Sequence, residues 1–176
     1  MITKTQAQKI NTLMTALPED EREIYREIAE YAVQLGYTPS QVKNTQGPTD
    51  ALAFTKKKVN RRLCKISAPS ANCSKGKPLY EARKTILALS FYATTDYSAF
   101  FRDAIEKELA TVAIKRRGCA NCKQCSGGYA YASDDGHAVG CCQWKMIELA
   151  PIGAQHIDEI KTMMQAQDEF WMEGAT

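Results

Sequence analysis

The chain has 176 residues, 44% of them apolar and 24% charged, with a net charge of +3; this suits one domain over 1–176 with its own core and is short for two independent ones. Seven cysteines, an odd number, exclude a complete set of disulfides within the chain. The opening MITKTQAQKINTLM is polar and periodic rather than basic and then apolar, and no segment approaches the apolar length of a membrane span. The expected compartment is therefore the cytoplasm, where thiols stay reduced.

Ala7, Ile10, Leu13, Met14 and Leu17 recur at three- and four-residue spacing, which predicts a first helix ending at Pro18. Pro18 with Glu19, Asp20 and Glu21 then starts a second helix, because proline suits the first turn and carboxylates favour the positive end of the helix dipole. Ile24, Ile28, Tyr31 and Leu35 form its apolar stripe, and Gly36 caps it in the left-handed conformation. These two helices make up a helical part, 1–36. Residues 37–50, with Pro39, Gly47 and Pro48, read as a loop.

Ala51 to Thr55 and Val59 to Ser67 read as paired strands flanking a lysine tip. The run Thr85 to Ala93 is apolar on both faces and predicts a buried central strand. Thr94, Thr95 or Asp96 caps a third helix with Tyr97, Phe101, Ile105, Leu109 and Val112 on its core stripe. A cysteine-rich hairpin spans 118–150: Tyr129 and Tyr131 alternate with small residues, Asp135-Gly136 signals a type I′ turn, and a return strand begins near Ala138. A further strand covers Lys145 to Leu149, and a last helix buries Ile157, Ile160, Met164 and Trp171. The expected class is α+β, a mostly antiparallel sheet of roughly five to six strands packed with about four helices, and a cysteine-rich metal-type loop before the last hairpin.

The cysteine segment carries the clearest chemical signal. Cys119, Cys122 and Cys125 fall within seven residues, and the vicinal pair Cys141 and Cys142 follows across the hairpin. Thiolates at C-x-x-C spacing in a chain without a secretory signal point to a bound metal. With Asp135 and Gly136 as the two turn residues, Asp134 faces His137, Ala130 faces Cys141 and Tyr129 faces Cys142. Neighbours along a strand point to opposite faces, so at most one of the pair is a ligand. That register selects Cys142, with Cys141 as the alternative. Cys119, Cys122, Cys125 and Cys142 suffice for tetrahedral zinc with no open position for water, so the expected site is structural. An iron–sulfur cluster is the alternative cofactor, although the fourth cysteine and proline of the ferredoxin pattern are missing nearby. Metal-free, buried or redox-active thiols are the third possibility. Cys64 and Cys73 read as isolated packed or loop thiols, His137 as a turn residue and His156 as a capping or exposed one.

Charge is distributed unevenly: −2 over 1–50, +9 over 51–90 and −4 over 91–176. The positive field is concentrated in Lys56, Lys57, Lys58, Arg61, Arg62 and Lys65, a candidate anion-binding set. A solvated hairpin whose charges discourage pairing between molecules is the plainer account. Aromatic residues do not interleave with the run as they do in single-strand binders, so nucleic acid is a disfavoured partner. Tyr92, Tyr97, Tyr129, Tyr131 and Trp144 are the candidate lining of a ligand pocket, with the reservation that aromatics at strand and helix spacing usually serve as core. Gly127-Gly128 precedes a strand rather than a helix and so does not cradle phosphate. No nucleophile–base pair or carboxylate dyad is present in the pattern, and no catalytic residue is nominated.

The segment GCANCKQCSGGYAYASDDGHAVGCC, with LPEDEREIYREIAEYAVQLGY and QDEFWM, resembles a family of uncharacterised bacterial proteins of similar length. The resemblance spans most of the chain and rests on Cys122, Cys125, Tyr129, Tyr131, Gly136 and one of Cys141 or Cys142; it implies no activity. More distantly, the layout of hairpins and helices is similar to small-molecule-binding α+β domains of the gyrase-inhibitor-like type, and fold alone does not fix function. The expectation is a cytosolic, metal-stabilised binding domain for a small ligand or protein partner. An iron–sulfur or thiol redox protein is the alternative, and nucleic-acid binding through the basic hairpin 56–65 comes third.

Overall fold

The computed structural model describes residues 2–44, 47–69, 84–94, 96–115, 128–132, 138–142 and 146–174. The fold is α+β. Seven strands occur in the described residues: β1 (Thr38–Asn44), β2 (Gly47–Lys56), β3 (Arg61–Ser67), β4 (Ile86–Leu89), β5 (Gly128–Ala132), β6 (Ala138–Cys142) and β7 (Ile147–Leu149). Five form an antiparallel sheet in the order β1-β2-β3-β4-β7, while β5 and β6 pair separately as a hairpin.

Two cross-strand rows on one face of the sheet explain why these strands stay together. Leu52, Ile66, Leu87 and Leu149 lie opposite one another in succession, as do Phe54, Cys64, Leu89 and Ile147. All eight are buried. A fully buried side chain of this size contributes on the order of 1.5–3 kcal/mol by leaving water, so the rows fix the register. The row behind them, Ala53, Lys65, Ala88 and Glu148, is small or charged, and a one-residue slip would exchange the two sets. Near the tip the register shifts between Phe54 and Thr55, leaving Leu63 as an extra residue in β3. That bulge accounts for two consecutive buried residues, Leu63 and Cys64, in a strand that otherwise alternates.

Helices α1 (Lys4–Thr15), α2 (Arg22–Gln34) and α4 (Ile157–Glu173) contribute to the core built on this face. In α1, Ile10, Leu13 and Met14 are buried, followed by Leu17, and the N-terminus is closed by Thr3 and Gln6 in a reciprocal capping box. The stripe of α2 is rotated from the expected one. Tyr25, Ile28, Ala29, Ala32 and Val33 are buried, whereas Ile24, Tyr31 and Leu35 lie at the boundary. The hydroxyls account for the difference. Tyr25 reaches the Thr85 carbonyl at 3.1 Å in the interior, while Tyr31 donates to Gln165 of α4 at the exposed rim.

Gly36 ends α2 as expected, with φ +89°. Its N–H donates to the Val33 carbonyl at 2.9 Å and that of Tyr37 to the Ala32 carbonyl at 3.0 Å, a paired termination that satisfies two helix-end carbonyls. A Cβ at Gly36 would meet the Lys56 Cε at an ordinary 3.5 Å, so the penalty for substitution is conformational. Gly36→Ala is expected to lower unfolding free energy by roughly 1–2 kcal/mol, read from urea denaturation; a loss within error of zero would contradict the cap.

Three boundaries differ from expectation. Residues 37–50 contain β1 and the start of β2 rather than a loop. Pro39 is tolerated there because β1 is an edge strand, where a missing donor breaks no obligatory ladder. The strand expected to reach Ala93 stops at Leu89: the Ser90 N–H still bonds to the Leu63 carbonyl, and the chain then turns Phe91 into the core. Helix α3 (Ala99–Lys115) starts later than its expected caps. Tyr97 precedes it, and Ser98 is held by Glu159 of α4 through both N–H and hydroxyl.

Candidate functional site

The β2–β3 turn places the basic run on one wall of a cleft. Lys57 to Asn60 connect the strands, and Asn60 adopts φ 49° with its N–H donating to the Lys57 carbonyl at 3.1 Å. Asparagine is among the few residues that tolerate this left-handed conformation. The turn carries Lys57 into a cleft of about 470 Å³ together with Arg61 and Arg62 on β3. The opposite wall is aromatic: Tyr92 after β4 and Trp171 on α4. The Trp171 indole Nε1–H donates to the Tyr92 hydroxyl oxygen at 2.6 Å, which holds the two rings as one unit. A second cavity, about 210 Å³, lies between α1 and the β1–β2 pair. It is smaller than the ~300 Å³ at which small-molecule sites begin.

Behind the cleft lies a buried ionic cluster that determines how much of the basic run faces it. Lys56 Nζ donates to both carboxylate oxygens of Asp168, at 2.7 and 2.8 Å, and Tyr37 donates to the same carboxylate at 2.9 Å. The ammonium also lies 5.2 Å from the centre of the Tyr37 ring. Side chains of Lys56 and Asp168 retain only 16% and 12% exposure, so the pair is largely desolvated. Burial, then the hydrogen bond to Asp168 and its charge, push the Tyr37 hydroxyl far above the ordinary tyrosine range, so it remains a proton donor to Asp168. Lys56 is thus satisfied internally. Lys57 and Arg62 are exposed, and among the described residues neither forms an ion pair.

The nominated aromatic residues divide between cleft and core. Tyr92 lines the cleft. Tyr97 and Tyr129 do not: both are buried against Phe91, at ring-centre distances of 5.4 and 4.7 Å. Burial pushes the Tyr97 hydroxyl up to about 12, and Tyr129 donates to the Leu89 carbonyl at 3.2 Å, docking the hairpin on the sheet. For Tyr131 the structure gives a strand position opposite Val139, and Trp144 lies outside the described residues.

Cys119, Cys122 and Cys125 also lie outside the described residues, as do His137, Cys73 and the Asp134–Gly136 turn. The β5–β6 register differs from expectation by one residue: Tyr129 pairs with Cys141 and Gly128 with Cys142. Such an offset exchanges which positions share a face, so the register argument that favoured Cys142 over Cys141 no longer holds. Among the described residues no group of three or more His, Cys, Asp or Glu forms a metal-binding cluster. Cys64 is buried in the sheet, and burial pushes its thiol well above the ordinary range, away from nucleophilic or redox chemistry. His156 acts as a cap: its Nδ1 accepts the Gly153 N–H at 3.1 Å, and its ring stacks on Phe100 at 3.9 Å.

No protein-family model, curated protein or solved structure matches the chain. Among the described residues, no helix is long and apolar enough to cross a membrane.

The cleft contains residues that sequence patterning assigns elsewhere. Trp171 has the spacing of a core residue and is indeed 8% exposed, yet it also lines the cleft. Asp168 and Gln167 occupy the core-facing positions between Met164 and Trp171 on α4. That polar pair within an apolar stripe is a legible signal, because a buried carboxylate requires partners.

Proposed function

We propose that this chain is a cytoplasmic small-ligand-binding domain whose cysteine segment is held by a structural zinc ion. The observation that carries the binding reading is the cleft of about 470 Å³, which joins the cationic turn to Tyr92 and Trp171. Its size falls within the ~300–1,000 Å³ of small-molecule sites, and a few polar groups meet aromatic side chains there, as such sites require. A protein partner is less well supported. Among the described residues Phe170, at 49% exposure, is the one large apolar side chain left open, which is too little to form the apolar centre of a stable interface.

Binding is tested by titrating isotope-labelled protein with benzyl alcohol and phenyl phosphate while following the Trp171 indole N–H. Movement of that resonance together with the amides of Ser90 to Tyr92 is expected; changes confined to other regions, or none, reject the cleft.

The zinc reading is supported by the spacing of Cys119, Cys122 and Cys125, with one of Cys141 or Cys142 as the fourth sulfur. Elemental analysis and an absorption spectrum of anaerobically purified protein are expected to give one zinc per chain and no visible band, and Cys122→Ser to lower the zinc content severalfold. Stoichiometric iron with visible absorption would instead favour a redox protein, and the absence of both metals would remove the metal from the reading.

A further inference from the structure

We propose that the ligand of this cleft is an organic anion with a flat ring, its phosphate or carboxylate at Lys57 and Arg62 and its ring beside Tyr92 and Trp171. The inference rests on the cleft being a ligand site and specifies what that site selects.

The first support is charge. Among the described residues, four cationic side chains line the cleft and no acidic one does. Asp168 offsets Lys56 from behind through two short bonds, which leaves the charges of Lys57 and Arg62 without a protein counter-ion among the described residues. Such an imbalance in a concave site raises the local concentration of anions, and guanidinium pairs well with the planar or tetrahedral oxygens of carboxylate and phosphate.

The second support is the direction of the hydrogen bond across the aromatic wall. An indole nitrogen can only donate, so in the 2.6 Å contact the Tyr92 oxygen must be the acceptor. The phenolic proton of Tyr92 is therefore left to give to something else. With that proton added to the Lys57 ammonium and the Arg62 guanidinium, the charged groups at the cleft and Tyr92 are all donors, while Thr55 and Asn60 can donate or accept, so the balance favours a ligand that supplies acceptors. Ser90 does not reverse this balance, since its hydroxyl is directed toward the Arg62 carbonyl at 3.5 Å.

Size provides the third support. A bare phosphate or carboxylate occupies a small part of about 470 Å³, and Tyr92, Trp171 and Met146 line the cleft as well. A ring on the ligand fills that volume, whereas a polynucleotide would require a track of alternating cations and aromatics.

Calorimetric titration with phenyl phosphate, inorganic phosphate, benzyl alcohol and a twelve-residue thymidine oligonucleotide tests the proposal, with Lys57→Glu/Arg62→Glu as the variant. Both substitutions lie at exposed positions, and an unchanged circular dichroism spectrum controls for folding. Phenyl phosphate is expected to bind at least about tenfold more tightly than either fragment, since one charge-assisted hydrogen bond is worth that factor or more. The variant is expected to lose about tenfold or more for phenyl phosphate and little for benzyl alcohol. Equal binding of phenyl phosphate and benzyl alcohol would overturn the anion inference while leaving a ligand cleft in place. No binding of any small probe would overturn both readings. Oligonucleotide binding that displaces phenyl phosphate and falls steeply with salt would replace the small anion with nucleic acid.

Discussion

Phe91→Ala is expected to destabilise the protein by roughly 3–5 kcal/mol, the range for truncating a buried aromatic residue. Phe91 is fully buried, and its ring meets those of Tyr97, Phe101 and Tyr129 edge-on, with centres 5.4, 4.7 and 4.7 Å away. These partners come from different parts of the fold: the segment before α3, α3 itself, and β5. Removing the ring forfeits contacts to all three and leaves a cavity that none can close alone. The hairpin should respond first. Its described attachments run through Tyr129, which touches Phe91 and Tyr92 and donates to the Leu89 carbonyl. Urea denaturation measures the total loss, and hydrogen exchange should report weakened protection in β5 and β6 before the five-stranded sheet is affected. Phe91→Leu is expected to cost less than half as much. A loss under about 1 kcal/mol for the alanine variant would mean that the ring cluster relaxes around the void.

Asp168→Ala is expected to have two opposite effects. Stability should fall by about 2–4 kcal/mol, because Lys56 and Tyr37 both lose their acceptor in a largely desolvated place. The figure lies toward the lower part of the range for broken buried pairs, since Lys56 retains 16% exposure and borders the cleft, so its ammonium has a short route to water. Anion binding should strengthen at the same time, by severalfold for phenyl phosphate, as the released ammonium adds to Lys57 and Arg62. Lys56→Met combined with Asp168→Asn restores charge balance and should recover much of the stability without the gain in affinity. If Asp168→Ala lost stability with no change in anion binding, the cluster would be a structural tie with no electrostatic influence on the cleft.

The same cluster marks the limit of what periodicity conveys. The α4 stripe of Ile157, Ile160, Met164 and Trp171 is buried as its spacing predicts, and the apolar runs of β3 and β4 identify two strands of the core. Gly36 was equally legible, because a left-handed helix end has few residue types available to it. Less legible was β1, where Pro39 and polar neighbours conceal an edge strand: such a strand needs only one paired side and one partly buried face. The basic run was visible as charge, but its division was not. Lys56 turns inward to Asp168, which is 112 positions away in the chain, while Lys57 and Arg62 remain outside.

Sequence alone determined the α+β class, the core stripes of α1 and α4 and the position of the cationic turn. Each depends on local properties: periodicity, dihedral preference and charge density. Tertiary structure alone decided that Tyr92 lines a cleft while Tyr97 and Tyr129 fill the core, that β5 and β6 pair one residue away from the simplest turn, and that Trp171 faces the cationic turn. Those outcomes depend on which of several buried environments an aromatic or charged side chain reaches. Contacts between distant segments settle that choice, because a ring is equally apolar, and a lysine equally charged, in every local context from which it could be predicted.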